Sequence, residues 1–506
     1  MRPHSWLYVA LFLPLALAMT VDRQLEERAT RKDATVLILG GGVAGVIAAR
    51  TFHEQGIDFK IVEALPQLGG RMQSFPFGAE GNQRVLELGP NWVQGTETPG
   101  GPENPIWGLV KKHGVKTQDN DWTSSITTYD FTGEVNYLDL FDASIDQFTN
   151  LTIAAGERVS GNLVDLSSRS GYSLVSAKPK TPQAAACEYY QLDWETAGSP
   201  EVSSMIATSW VASIADNFTY DPDFGGFGDD NAMSIDQRGF HTFIQAEADT
   251  FMKSSQLLLN STVSNIQYNT SGVQVTLVGG KKLTADYALV TFSVGVLQND
   301  DVVWEPELPD WKQEAIQSMT METYTKVFFQ FDQNFWFNTE MALYADLERG
   351  RYPVWQSMDH PKFFPGSGIV FVTVTGDFSI RIESLPDAQV QSEVLGVLQA
   401  MFPNITIPTP TAFHFPRWHA NPLFRGSYSN WPPSFSSGHH QNLKATVAQS
   451  LWFAEEATSQ KYFGFLQGAY FEGNEVASAM AKCIQNKGCV ELQDVADVSN
   501  AQPYQI

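Results

Sequence analysis

The sequence predicts an α/β fold in two parts. One is a discontinuous, Rossmann-type dinucleotide-binding domain; the other is an α+β domain built on a mixed sheet. Three observations predict this. The apolar run Val36-Leu37-Ile38-Leu39 leads directly into Gly40, Gly42 and Gly45, spaced GxGxxG. A second run, Phe59-Lys60-Ile61-Val62, ends on Glu63, 18 residues beyond Gly45. Strand-like alternation then returns in stretches separated by segments of different character, which is the pattern of a domain interrupted twice.

Each part of the first unit has a physical task. Gly40 permits the tight turn, Gly42 lets a pyrophosphate approach the backbone, and Gly45 lets the helix pack against the strand. The phosphates then meet the helix's unpaired N–H groups and the positive end of its dipole. Glu63 supplies a carboxylate for ribose hydroxyls. Gly69-Gly70-Arg71-Met72 follows closely, a second glycine pair with a cation. That pair suits a further phosphate contact and favours FAD over NAD.

Residues 87–107, ELGPNWVQGTETPGGPENPIW, read as a loop rich in turn formers with embedded aromatics, a segment of the kind that lines a site. Further on, VQVTLVGG and KKLTADYALVTFSVGVL predict a short hairpin feeding a buried strand. TKVFFQF and IVFVTVTG predict strands of a sheet lying over a pocket. The last segment, from RWHANPLFRGSYSNW through LWFAEEATSQKYFGFLQGAYFEG, predicts a strand, a turn and an amphipathic helix. The division expected is residues 34–121, 232–310 and 414–495 for the nucleotide domain and residues 122–231 and 311–413 for the substrate domain.

Bulk properties narrow the function. A 506-residue chain with 43% apolar and 17% charged residues buries a large core. Its formal charge of −24 argues against a nucleic-acid partner, and an acidic surface serves solubility first. Residues 1–20 read as a secretory signal: Arg2 is basic, Trp6 to Leu17 is nearly all apolar, and Ala16-Leu17-Ala18 supplies small residues for cleavage. No other segment is apolar enough to predict a membrane span, so no membrane partner is expected after cleavage. Asn150, Asn217, Asn260, Asn269 and Asn404 each begin an N-x-S/T sequon, which beside a signal favours a secreted glycoprotein. Cys483 and Cys489 enclose a short loop and are expected to pair in an oxidising compartment, leaving Cys187 over and buried. No Cys/His cluster has metal-ligand spacing, and the nine histidines offer no catalytic triad; His439-His440 read as a solvated loop.

Lys326 stands between Tyr324 and Val327-Phe328-Phe329 on a strand predicted to be buried, an unusual place for a residue that is normally solvated. Aromatics such as Tyr428 and Phe465 are ordinarily core residues.

Six ordered strings now carry a resemblance: GGGVAG…VEA…GGRM, ELGPNWVQG, ADYALVTFSVGVLQ, METYTKVFFQF, RGSYSNWP and EEATSQKYFGFLQGAYFEG. From Thr35 to Cys489 the chain resembles the flavin-containing amine oxidases, most closely the secreted polyamine oxidases. The resemblance implies the FAD-binding fold of the glutathione-reductase and amine-oxidase kind. It implies that Ala44, Glu63, Arg71, Asn91 and Trp92 contact FAD, as does Val263 through its backbone. It places Glu456 at the ribityl-pyrophosphate region, and Lys326 as the lysine that holds a water against flavin N5. Tyr428 and Phe465 match the aromatic pair that flanks the substrate amine, and Tyr324 a tyrosine near the substrate. The implied reaction transfers a hydride from the carbon beside an amine nitrogen to flavin N5, with molecular oxygen reoxidising the flavin to give hydrogen peroxide. Covalent attachment is not expected, because relatives that attach FAD use a cysteine near the terminal motif and this chain has none there.

Two departures bear on the substrate. Gln94 stands where secreted polyamine oxidases of the plant type carry an acid, and Gly198 stands near a second acidic position. A polycation is therefore expected to bind less well unless Glu195 or Glu97 substitutes. An alkaloid-like or peptide-derived amine intermediate is the alternative substrate.

Overall fold

The computed structural model describes residues 32–486 except 99, 162, 212–226 and 229. The signal-like residues 1–20, Asn217 and Cys489 lie outside the described residues, and with Cys489 the expected disulfide does too. Among the described residues Cys483 and Cys187 are not joined by a disulfide, and Cys187 is buried.

The first sheet has eight strands. Its order runs Leu257–Leu258, Phe59–Val62, Ala34–Leu39, Lys282–Val290, Gly272–Leu277, Val263–Asn269 and Val303–Glu305, with Leu451–Phe453 also paired to Lys282–Val290. Four neighbouring strands, from Leu257–Leu258 to Lys282–Val290, run parallel, as does Leu451–Phe453. Ala34–Leu39 is the central member, and its residues from Val36 onward are fully buried, as a strand covered on both faces requires. The expected hairpin is present: Gly272–Leu277 pairs antiparallel with Lys282–Val290. The helix Val43–Glu54 covers one face, and the terminal helix Leu466–Gln485 packs on it so closely that a Cβ at Gly473 would lie 2.4 Å from the Ala44 carbonyl oxygen.

The second sheet has seven strands, in the order Ala412–His414, Tyr324–Gln330, Ile369–Thr375, Val354–Ser357, Met341–Ala345, Ile126–Asp130 and Gly133–Glu134. Tyr324–Gln330 runs antiparallel to Ile369–Thr375, with Lys326 opposite Thr373. Alternation along this strand sends Val327 and Phe329 into an apolar core with Val370, Val372 and Val374. Tyr324 and Lys326 point the other way. A two-stranded ladder, Thr320–Glu322 with Tyr428–Asn430, joins the chain just before Tyr324 to the terminal third of the sequence.

One expectation is corrected here. His439 and His440 lie in the helix Ser437–Lys444 and not in a solvated loop. His440 is buried, its Nε2 is 2.7 Å from the Thr458 carbonyl oxygen, and burial holds it down at about 4. No local signal marks the far end of this helix, which is capped from elsewhere: the buried Lys312 Nζ donates to the carbonyls of Asn442, Leu443 and Ala445.

Among the described residues no helix is long and apolar enough to cross a membrane, and no group of three His, Cys, Asp or Glu is placed to hold a metal.

Candidate active site

A cavity of about 390 Å³ opens at the carboxyl ends of the parallel strands and extends to the second sheet. Ligands of open α/β sheets bind at that edge.

The glycine turn forms one end. Gly40 has φ of +119°, and a Cβ there would sit 2.3 Å from Thr291 Oγ1. Gly45 does not line the cavity; its Cβ would lie 2.1 Å from the Gly40 carbonyl oxygen, so its absence lets the helix close onto the strand. Gly40, Gly42 and Ala44 do line it. No side chain caps the helix Val43–Glu54, whose N-cap is Gly42, so its first N–H groups stay available to an anion. Glu63 is buried at the end of its strand and accepts from Gly41 N at 2.5 Å and Leu65 N at 2.7 Å. A carboxylate has about four acceptor positions, so Glu63 retains capacity for ribose hydroxyls. Burial raises Glu63, and the three backbone donors that face it, Leu65, Gly41 and Ala64, oppose that rise.

Arg71 forms the next part of the wall. Its Nη1 donates to Glu456 Oε1 at 2.8 Å and to the Ser427 carbonyl at 3.0 Å, and its Nη2 lies 3.4 Å from Glu455 Oε2. Glu456 is also a hub. Besides Arg71 it accepts from Ser429 N at 3.1 Å, Ser429 Oγ at 2.5 Å and Gly464 N at 2.7 Å. It thereby fixes the strand bearing Tyr428 and the loop bearing Phe465 to the glycine-rich turn. Val263 lines the same end.

The far end is aromatic. Trp92 and Gln94 share one face of the strand Trp92–Gln94, while Val93 points into the core. Trp92, Trp122 and Trp194 meet edge to face, with centroids 5.3 to 6.0 Å apart. Asn120 Oδ1 accepts from the indole N–H of both Trp92 and Trp122. Tyr324 and Tyr428 lie 6.0 Å apart, and Phe465 lines the same cavity. The Tyr428 hydroxyl donates to the Glu195 carbonyl at 2.8 Å, and burial raises both phenols above their ordinary value.

Lys326 is almost completely buried. Its Nζ donates to Asn91 Oδ1 at 2.6 Å, the Gly89 carbonyl at 2.7 Å and the Glu87 carbonyl at 3.3 Å, and it stands 5.2 Å from the Trp92 ring. Burial lowers Lys326 to about 7 against an upward pull from the Glu87 carboxylate. Three acceptors suit an ammonium and burial disfavours one, so Nζ is poised between its two forms near neutrality.

The two substrate candidates share this end of the cavity. Gln94 Nε2 donates to Glu195 Oε1 at 3.3 Å, and burial alone raises Glu195 to about 7. Glu97 is exposed and not on the cavity wall. At Gly198 the missing side chain leaves no void: a Cβ there would be 2.6 Å from Glu322 Oε1 and 2.6 Å from Asn430 Nδ2. Burial raises Glu322 to about 8, which keeps this carboxyl neutral at pH 7.

The short helix Asp193–Thr196 carries Trp194 and Glu195, and an ionic lattice holds it. Arg349 reaches Asp193 with two hydrogen bonds, at 2.6 and 2.7 Å, and Glu188 at 2.9 Å. Arg169 makes two bonds to Glu188, both 2.7 Å, and one to Glu201.

Sequence reasoning singled out neither Trp122, Trp194 and Glu455 on the wall nor Arg349 behind it. Trp194 adjoins Glu195 and carried a signal by proximity. Trp122 and Arg349 reach their places through tertiary contacts that no local spacing announces.

The donor set fits a dinucleotide. An uncapped helix start, a buried carboxylate and a guanidinium line one end, and a largely aromatic chamber lies beyond them. The class these features define is a flavin-dependent oxidoreductase. Residues 43–481 match the model of the flavin containing amine oxidoreductase family, and the chain belongs to that family. It is similar to polyamine oxidase 6 of Oryza sativa subsp. japonica, 33% identical over 503 residues, covering 95% of this chain and 97% of the relative. It is similar also to polyamine oxidase 1 of Zea mays, 34% identical over 505 residues, with 95% and 96% covered. The structure of wild-type putrescine oxidase bound to putrescine superposes with a TM-score of 0.69 at 17% identity, covering 89% of this chain and 99% of that one, which shows the shared fold. The protein is an FAD-dependent amine oxidoreductase, similar in sequence to polyamine oxidases.

Proposed function

We propose that this enzyme oxidises a small di- or polyamine at a carbon beside nitrogen, with molecular oxygen as the final acceptor and hydrogen peroxide as product. The observation that carries the reading is Glu195, a partly buried carboxyl on the wall of a largely aromatic chamber, which burial pushes up to about 7. Such a group gains most from a cation, because a buried charge without a partner is costly. FAD, when bound, supplies the hydride acceptor. Glu63, Arg71 and the N-terminus of the helix Val43–Glu54 would hold it.

The side chains then divide the work. Tyr324, Tyr428 and Phe465 exclude water and orient the amine, and orientation supplies a large part of the rate. A dry slot favours the neutral amine at the reacting end. Glu195 receives the ammonium at the other end, with Gln94 Nε2 holding its carboxyl in place. Lys326 Nζ holds or releases a proton, and its 3.3 Å bond to the Glu87 carbonyl is the one a water most easily replaces.

A panel of mono-, di- and polyamines followed by peroxide release tests the reading. Di- and polyamines should be preferred by the wild type. Glu195→Gln should raise their KM by about tenfold or more, since truncating a desolvated charge partner costs at least about 2 kcal/mol, and should leave monoamines unchanged. Equal losses on both classes would exclude Glu195 as the cation acceptor.

We also propose entry to the secretory pathway, supported by the signal-like residues 1–20 and by the exposure of Asn150, Asn260, Asn269 and Asn404. Protein secreted by a eukaryotic host should lose mass on enzymatic removal of N-glycans. An unchanged mass would show that the sequons go unused.

A further inference from the structure

Two adjacent carboxyls face the Arg71 guanidinium, and they are not equivalent. Glu456 has four donors around it, namely Arg71 Nη1, Ser429 N, Ser429 Oγ and Gly464 N. That fills the roughly four acceptor positions a carboxylate offers. Every one of those donors belongs to the protein, which makes Glu456 a positioning group. Glu455 is as deeply buried, yet only its Oε2 approaches Arg71, at 3.4 Å, and its Oε1 has no hydrogen-bond partner. Glu455 lies on the wall of the cavity, at the end of the strand Leu451–Phe453 where the parallel sheet opens.

A buried polar oxygen without a partner calls for an explanation, and a group absent from the protein itself supplies one. We propose that Glu455 makes the side-chain contact to the ribityl–diphosphate chain of FAD in this protein, donating a hydrogen bond from a protonated carboxyl to one of its oxygens. One guanidinium neutralises one carboxylate, and Glu456 holds the better geometry. A second negative charge at Glu455 would face the cofactor's phosphates without compensation. Burial first, and then the neighbouring Glu456 charge, raise Glu455, while Arg71 and the backbone N–H groups of Ala457 and Val294 oppose them. Glu63, Asp301, Lys326 and Glu195 share the cavity wall and titrate or carry charge there. The contact rests on FAD as cofactor, which the yellow colour of the wild-type holoenzyme reports separately.

The test reads FAD release from holoenzyme by flavin fluorescence between about pH 6.5 and 9.5. The wild type should lose FAD at least about tenfold more readily at the upper limit, because each pH unit above a donor's titration removes about nine-tenths of what remains protonated. Glu455→Gln keeps an N–H donor that does not titrate and should flatten the profile while FAD stays bound. Glu455→Ala should release FAD more readily than wild type at the lower limit, also with a flat profile. A flat wild-type profile, or a Glu455→Gln profile with the wild-type slope, would overturn the proposal. So would a folded Glu455→Ala protein that holds FAD like the wild type. If Glu455→Ala fails to fold, the comparison of wild type with Glu455→Gln decides alone.

Discussion

Turnover of a Lys326→Met variant is expected to fall about a hundredfold with FAD still bound, the lower end of what a positioned proton-transfer group contributes. Methionine keeps the length and apolar stem of the side chain, so the strand Tyr324–Gln330 and its core partners stay packed. What disappears is an Nζ lowered to about 7 and tied to Asn91 Oδ1 and the Gly89 and Glu87 carbonyls. The sign of the pH effect follows. Below about 7 the wild-type Nζ is charged and above it neutral, so the wild-type rate should inflect near that pH and the variant should lose the inflection. Stopped-flow traces of flavin absorbance separate the reduction step from reoxidation. Unchanged turnover in both half-reactions would remove Lys326 from the mechanism.

Arg349→Met should have the largest effect on stability. The substitution strands Asp193 and Glu188, both about 3% exposed, without a cation that now bonds both. Breaking a buried pair by removing one partner costs about 3–5 kcal/mol. Arg169 still pairs Glu188, so the loss falls mainly on Asp193, which burial already pushes up to about 6 with Arg349 present. The melting temperature should drop by several degrees, and KM should rise because Trp194 and Glu195 ride on the released turn. Adding Asp193→Asn should restore part of the stability by removing the stranded charge. A melting temperature equal to wild type in the single variant would mean that the lattice adds nothing to stability.

The nucleotide end of the site was legible because its chemistry is written within short spans. A strand, a glycine turn and an acid at fixed spacing define a crevice before any tertiary contact forms. The residues the resemblance implied, from Glu63 and Arg71 to Lys326, Tyr428 and Phe465, all line one cavity. What stayed hidden depends on contacts between distant segments. Nothing near Gly198 announces that Glu322, more than a hundred residues away, fills its missing side chain. Likewise the donors to Glu456 come from Arg71, Ser429 and Gly464, so its saturation, and the contrast with Glu455, emerges only from the folded arrangement. The helix holding His439 and His440 was missed because its end is capped by Lys312, from more than a hundred residues earlier.

The close approach of Gly473 to Ala44 brings the terminal helix against the first one and places Glu456 and Phe465 beside the opening glycine turn. Without the segment from Glu456 through the helix Leu466–Gln485 the crevice would lack one of its walls. A truncated product lacking that helix is expected to retain no flavin and to be colourless on purification.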